Sequence, residues 1–206
     1  MNNSAGLLLW YVARGSGFVA YLLLTASVVL GVALSRRWYS ANWPRMVVDA
    51  THRWMTITFF SFVVIHVLTI WLDPLAHFSF LHTIIPFAGS YRPFWVSLGI
   101  IAAELGLAIG ASVWVRRWIG YRTWHVLHGL AYPIFAMSLL HGLGTGTDTR
   151  TPWAMSIYSV SLILVLGATA WRTSSVPKTR TVVLALTVVA VAGAVAWQLQ
   201  GPFLLA

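Results

Sequence analysis

The sequence predicts an all-α protein, a polytopic membrane protein built as a six-helix transmembrane bundle, and three observations predict it. Of the 206 residues, 59% are hydrophobic and 8% are charged, whereas about a quarter of the residues of a soluble domain are charged. The apolar residues fall in stretches of about 20, the length a helix needs to cross a hydrocarbon core about 30 Å thick at a rise of about 1.5 Å per residue. Arginines and tryptophans gather at the ends of those stretches, as interfacial anchors do. Six spans and their loops take up nearly the whole chain, so residues 1–206 read as one transmembrane domain.

The first span covers about 15–35; the apolar run before it, 7–12, is set off by Arg14. The second covers about 47–72 and closes at Asp73-Pro74, because proline cannot continue the hydrogen-bond ladder. Residues 74–93 are too short and broken to cross, yet rich in Phe, Leu and Ile, which fits a surface-lying or re-entrant half-helix. The third span covers about 94–115 and ends at Arg116-Arg117; the fourth covers about 121–143 and runs out in Gly142, Gly144 and Gly146. The fifth covers about 153–171 and the sixth about 181–197.

The formal charge of +9 is a membrane signature and not a nucleic-acid one, because the basic residues sit in short loops. Arg36, Arg37, Arg45, Arg53, Arg116, Arg117, Arg122, Arg172, Lys178 and Arg180 lie on one side, against Arg14, Arg92 and Arg150 on the other. The excess of Lys and Arg on cytoplasmic loops puts the loops after spans one, three and five inside the cell and both termini outside. Residues 1–6 lack the basic start and small-residue cleavage site of a signal peptide. The absence of cysteine excludes disulfides, thiolate-held iron–sulfur clusters and c-type haem attachment within the chain.

Seven histidines carry the chemistry: His52, His66, His77, His82, His125, His128 and His141. Ionisable residues inside spans are costly and mark function. His52 and His66 lie 14 residues apart on the second span, and His128 and His141 lie 13 apart on the fourth. These gaps correspond to rises of about 21 Å and about 20 Å, far too long for one shared ion. Spans two and four run parallel, so the pairs His52/His128 and His66/His141 fall at two matched depths, inner and outer. Neutral imidazole is an axial ligand of haem iron, and two helices offering a histidine each at two levels can clamp two stacked haems. Fourteen residues is nearly a whole number of turns, whereas 13 leaves His128 and His141 out of phase; Pro133 between them is expected to kink or rewind the helix. His125 competes for the inner level, one turn lower, and the matched rise favours His128. A satisfied core histidine is the bland alternative for any one of them alone.

These residues resemble the ferric reductase-like transmembrane domain superfamily, which includes ferric reductases, NADPH oxidases and the haem subunit of bacterial methionine sulfoxide reductase. That family carries two histidines with 13 residues between them on one helix and two with 12 between them on another, as His52/His66 and His128/His141 do. Tyr121-Arg-Thr-Trp-His-Val-Leu-His128 resembles the entry to its second haem helix, and Trp10-Tyr-Val-Ala-Arg-Gly-Ser-Gly17 the opening of its first, so the likeness covers about 10–171. The resemblance implies two b haems with His52, His66, His128 and His141 as axial ligands, and Arg14 beside the outer haem. A snorkelling interface residue is the equal alternative for Arg14.

It implies an oxidoreductase's electron-transfer subunit, passing electrons from a cytoplasmic or membrane donor to an extracytoplasmic acceptor. The 206 residues contain no GxGxxG dinucleotide fingerprint, so FMN, FAD or quinone is expected through a partner, a separate flavoprotein or a quinol. One alternative is a quinol- or flavin-linked haem subunit of an extracytoplasmic methionine sulfoxide reductase-type system; another is a non-redox helical transporter or assembly factor.

Other features divide between function and packing. Glu104, inside span three, reads as a proton or quinone site or as a neutral carboxyl bonded to a neighbouring helix. Phe59, Phe60 and Phe135 lie between the haem levels but read first as core; Arg53 and Arg122 suit propionates or simply the basic side. His77 and His82 read as solvated loop residues before metal ligands, and Gly106/Gly110 form a GxxxG pattern that permits close helix contact.

Overall fold

A computed structural model describes residues 3–74 and 76–174. Among these the regular elements are all helical: α1 (Asn3–Ser35), α2 (Arg45–Leu72), α3 (Phe80–Ile84), α4 (Pro93–Ile119), α5 (Tyr121–His128), α6 (Ala131–Thr145) and α7 (Pro152–Thr173). Five helical segments are long and apolar enough to cross a membrane: Gly6–Ser35, Arg45–Leu72, Pro93–Ile119, Tyr121–Thr145 and Pro152–Thr173. The expected sixth span, 181–197, lies outside the described residues.

Several boundaries differ from expectation, each for a local reason. Helix α1 runs unbroken through Arg14, because arginine is a good helix former and its guanidinium finds an apolar seat one turn back, 3.9 Å from the Trp10 ring centroid. The helix ends in a Schellman motif: Trp38 N–H donates to Ala33 O (2.9 Å) and Arg37 N–H to Leu34 O (3.1 Å). Arg37 takes the left-handed position, φ 55°, that usually belongs to glycine. Helix α4 continues through Arg116 and Arg117 to Ile119, where basic residues suit a helix C-terminus, and stops at Gly120 with φ 81°. Both α4 and α7 begin with proline in the first turn, whose missing N–H would have no partner there. The half-helix expected in 74–93 is the five-residue α3, opened by a capping box in which Ser79 and His82 serve each other's backbone.

The fourth span is two helices, not one. The break lies at Gly129-Leu130, just before Pro133. Proline has no N–H to give the carbonyl four residues back, and its ring crowds that carbonyl; that residue is Gly129. The chain tightens there instead: Gly129 N–H reaches Val126 O (3.0 Å), Leu130 N–H reaches Leu127 O (3.0 Å), and Tyr132 N–H takes the Gly129 carbonyl (3.2 Å). Such three-residue steps turn the chain about 120° each rather than about 100°. That is the direction needed to reduce the phase error between His128 and His141.

The chain divides into two compact units, 1–21 with 57–146 and 22–56 with 147–206. In the first, α4 packs along α6. Ile134 and Phe135 are buried, and Phe135 stacks on Tyr21 at 5.5 Å. The Phe60 ring lies over Gly106 and Gly110, 3.5 and 3.3 Å from where their side chains would begin. The GxxxG pattern therefore receives an aromatic ring there. In the second unit, α7 buries Ala154, Tyr158, Ser161, Leu162, Val165 and Ala168, one face at helical spacing. Arg36 lies 5.9 Å from the Trp171 ring, where the C-terminal ends of α1 and α7 meet.

A pair of histidines seated on neighbouring helices

His66 on α2 and His141 on α6 come together. Their ring centroids are 6.2 Å apart and their planes cross at 88°. Each ring is tied to a third helix through Nδ1. His66 Nδ1 lies 2.7 Å from the Ala13 carbonyl on α1, and His141 Nδ1 lies 2.9 Å from the Trp95 carbonyl on α4. A carbonyl oxygen can only accept, so Nδ1 carries the proton in both rings. In the neutral ring Nε2 is then the nitrogen that carries the lone pair.

His52 is held against Ser27, by that residue's backbone and by its hydroxyl. Its Nδ1 lies 3.3 Å from Ser27 Oγ, and Ser27 Oγ lies 3.0 Å from Thr56 Oγ1. Thr56 donates its only proton back to the His52 carbonyl at 2.9 Å. Ser27 must therefore donate to Thr56, and His52 Nδ1–H must donate to Ser27, which closes a ring of three donors. This leaves Nε2 of His52 unprotonated as well.

His128 and His125 sit differently from each other. His128 is half-buried and stacks on Trp124, centroids 4.9 Å apart, whereas His125 is exposed and stacks on Tyr121 at 5.8 Å. Arg116 lies 5.1 Å from the Trp124 ring on its own side of the same cluster. Arg14 is half-buried against Trp10, next in sequence to the Ala13 carbonyl that holds His66.

The remaining candidates fall into packing or surface roles. His82 caps α3, and His77 is exposed with φ 53°. Phe59 and Phe135 are core. Glu104 is exposed on α4, as are Arg53 and Arg122. Among the described residues no three of His, Cys, Asp and Glu converge as a metal-holding group.

Sequence reasoning missed what faces each ring. A side chain begun at Gly17 would meet His66 at 3.1 Å, one at Gly99 would meet His141 at 2.6 Å, and one at Gly31 would meet His52 at 3.5 Å. A signal was available, since Gly17 and Gly31 repeat at the same 14-residue interval as His52 and His66. Comparison with models of protein families, with curated proteins and with solved structures finds no match for this chain.

Proposed function

We propose that this chain is a membrane carrier of two b-type haems, the electron-transfer subunit of an oxidoreductase resembling the ferric reductase-like transmembrane domain superfamily. The observation that carries this reading is the His66/His141 pair. Two imidazoles on opposite sides of one iron, each bonded through Nε2 at about 2 Å, hold their ring centres about 6.3 Å apart. The observed separation is 6.2 Å, and both Nδ1 atoms are already committed to carbonyls. Donation of the second ring nitrogen to a backbone carbonyl is the usual support of a metal-bound histidine. A porphyrin would supply the other ligands of its iron, so two histidines would suffice to hold it.

His66 and His141 would hold the outer haem. His52 and His128 would hold the inner one, on the strength of their spacing in the sequence and of the tautomer fixed at His52. When bound, haem supplies one-electron transfer. The protein's own part is to hold each imidazole neutral and oriented. Arg14 would stand near the outer haem as a cation for its propionates. Six spans, cytoplasmic loops after the first, third and fifth, and extracytoplasmic termini complete the arrangement, following the bias of Lys and Arg. FMN, FAD or a quinol held by a partner would supply electrons on the cytoplasmic side or from the membrane. An extracytoplasmic acceptor would take them, a ferric or methionine sulfoxide reductase-type system being the two choices.

The test is the visible spectrum of the purified protein, oxidised and dithionite-reduced, with haem quantified as the pyridine haemochrome. About two b haems per chain are expected. A colourless protein from cells amply supplied with haem would reject the carrier and leave a non-redox transporter or assembly factor.

A further inference from the structure

The three tethered histidines share a construction that spacing does not disclose. In each case the ring is held by a residue at some position of a neighbouring helix, and the residue four places further on is glycine. Ala13 receives His66 and Gly17 follows; Trp95 receives His141 and Gly99 follows; Ser27 receives His52 and Gly31 follows. Helix geometry explains the interval. Side chains tilt toward the helix N-terminus, so each covers the turn before its own Cα. The residue four places on is the one whose side chain would lie over the receiving group. A helical carbonyl is already bonded to the N–H four residues ahead, but it keeps a second lone pair. Glycine at that place uncovers it.

We propose that Gly17 and Gly99, and more loosely Gly31, are seats that set where the histidine imidazoles stand and how their planes are turned. They are positioning residues that act through His66, His141 and His52. The inference rests on the haem-carrier reading and deepens it. The two outer seats lie on different helices, α1 and α4, and each faces its own histidine. The crossing angle of 88° between the two rings is then a property of the seats as well as of the histidines. The space available grades them. A Cβ at Gly99 would stand 2.6 Å from His141 Nδ1 and 2.7 Å from its Cε1, which no packing tolerates. One at Gly17 would stand 3.1 Å from both Cε1 and Nδ1 of His66, so the ring must give by a few tenths of an ångström. One at Gly31 would stand 3.5 Å from His52 Cε1, an ordinary contact. Gly15, two residues from Gly17, has nothing within 4 Å and serves as the control.

The experiment compares G99A, G17A, G31A and G15A with the parent chain, in membranes and after purification. The readouts are haem content, the midpoint potential of each haem and the low-spin ferric electron paramagnetic resonance spectrum. That spectrum reports the angle between axial imidazole planes and is indifferent to a merely structural role. The parent is expected to show one strongly anisotropic low-spin signal from crossed rings. G99A should lose the outer haem by about ten-fold or more, the scale seen when the support of a metal ligand is disturbed, while the inner haem remains. G17A should keep both haems but shift the outer signal and its potential. G31A should shift only the inner signal, and by less than G17A shifts the outer one, and G15A should match the parent. Parent-like signals and potentials in both G99A and G17A would overturn the seats while leaving the carrier standing. A parent chain without haem would reject both together, and that failure is visible before any variant is made. Should G99A not accumulate, G17A decides alone, because its strain is small enough for the fold to survive.

Discussion

At His52 the ring meets Ser27 through both its hydroxyl and its backbone. The donation runs from His52 to Ser27, from Ser27 to Thr56, and from Thr56 back to the His52 backbone. Ser27→Ala removes the hydroxyl that orients Nδ1, while Thr56 keeps its bond to the His52 carbonyl. Losing the orienting bond of a metal ligand weakens retention about 10- to 100-fold, so the S27A protein is expected to lose inner haem during purification and to keep the outer one; haem per chain and the reduced spectrum measure this. Unchanged stoichiometry would remove Ser27 from the inner site. The choice between His125 and His128 belongs at the same scale. His128 is the half-buried ring, stacked on Trp124, and His125 is the exposed one. H128A is therefore expected to bleach the inner haem and H125A to spare it. Equal haem in the two variants would sink the assignment. Much of this residue scale was legible in the sequence as spacing, but the partners of Nδ1 were not. Ala13 is a small apolar residue and Trp95 an ordinary interfacial aromatic, and each contributes only its backbone oxygen, which no side-chain pattern advertises.

At the scale of elements, the break between α5 and α6 has the clearest consequence. A run of 25 residues, Tyr121–Thr145, suits one span by length and hydropathy, and composition alone marks the trouble only through Pro133. The tightened turn lies ahead of the proline because the missing N–H leaves the Gly129 carbonyl, one turn earlier, to be satisfied from Tyr132. Pro133→Ala returns a donor to that carbonyl and is expected to straighten 121–145 into one helix. His128 would then rotate relative to His141, by about 20° for each residue returned from the tighter winding. The inner haem of P133A should accordingly show a shifted potential or be lost, and the outer haem should stay. Parent-like inner and outer potentials would mean that the break has no part in aligning the two histidines. Helix α1 makes the opposite point. Arg14 looked like an interruption, yet a guanidinium resting on Trp10 lets the helix pass through it, since arginine's long stem can seek its own solvent without bending the backbone.

At the scale of the molecule, lipid is the solvent that the surface demands. Trp54, Trp114 and Trp118 are 65%, 79% and 69% exposed, and Leu22, Val64, Leu68, Leu107, Val160 and Ile163 are exposed with them. So many exposed large apolar side chains do not stay dispersed in water. Orientation is testable with little disturbance, because the chain has no cysteine. Asn42, between α1 and α2, and Ser90, between α3 and α4, are both exposed. On the positive-inside reading, N42C should react with a membrane-impermeant maleimide only after the cells are opened, and S90C should react in intact cells (for a Gram-negative host, once the outer membrane is permeabilised). The reverse pattern would invert the topology and with it the direction of the proposed electron flow.

The sequence by itself determined the helical class, the stretches long and apolar enough to cross and the histidines worth watching. Those depend on composition and length, because transfer into hydrocarbon is nearly additive along the chain, and because 14 residues return a helix almost to the same face. Only the tertiary structure decided which groups Nδ1 of His52, His66 and His141 meets, how the rings of His66 and His141 cross, and which glycines make room for them. Ala13 lies 53 positions from His66, and Trp95 lies 46 from His141. Contacts at that separation arise from the side-by-side placement of whole helices, and a helix's own periodicity says which face a residue is on, but not what stands opposite.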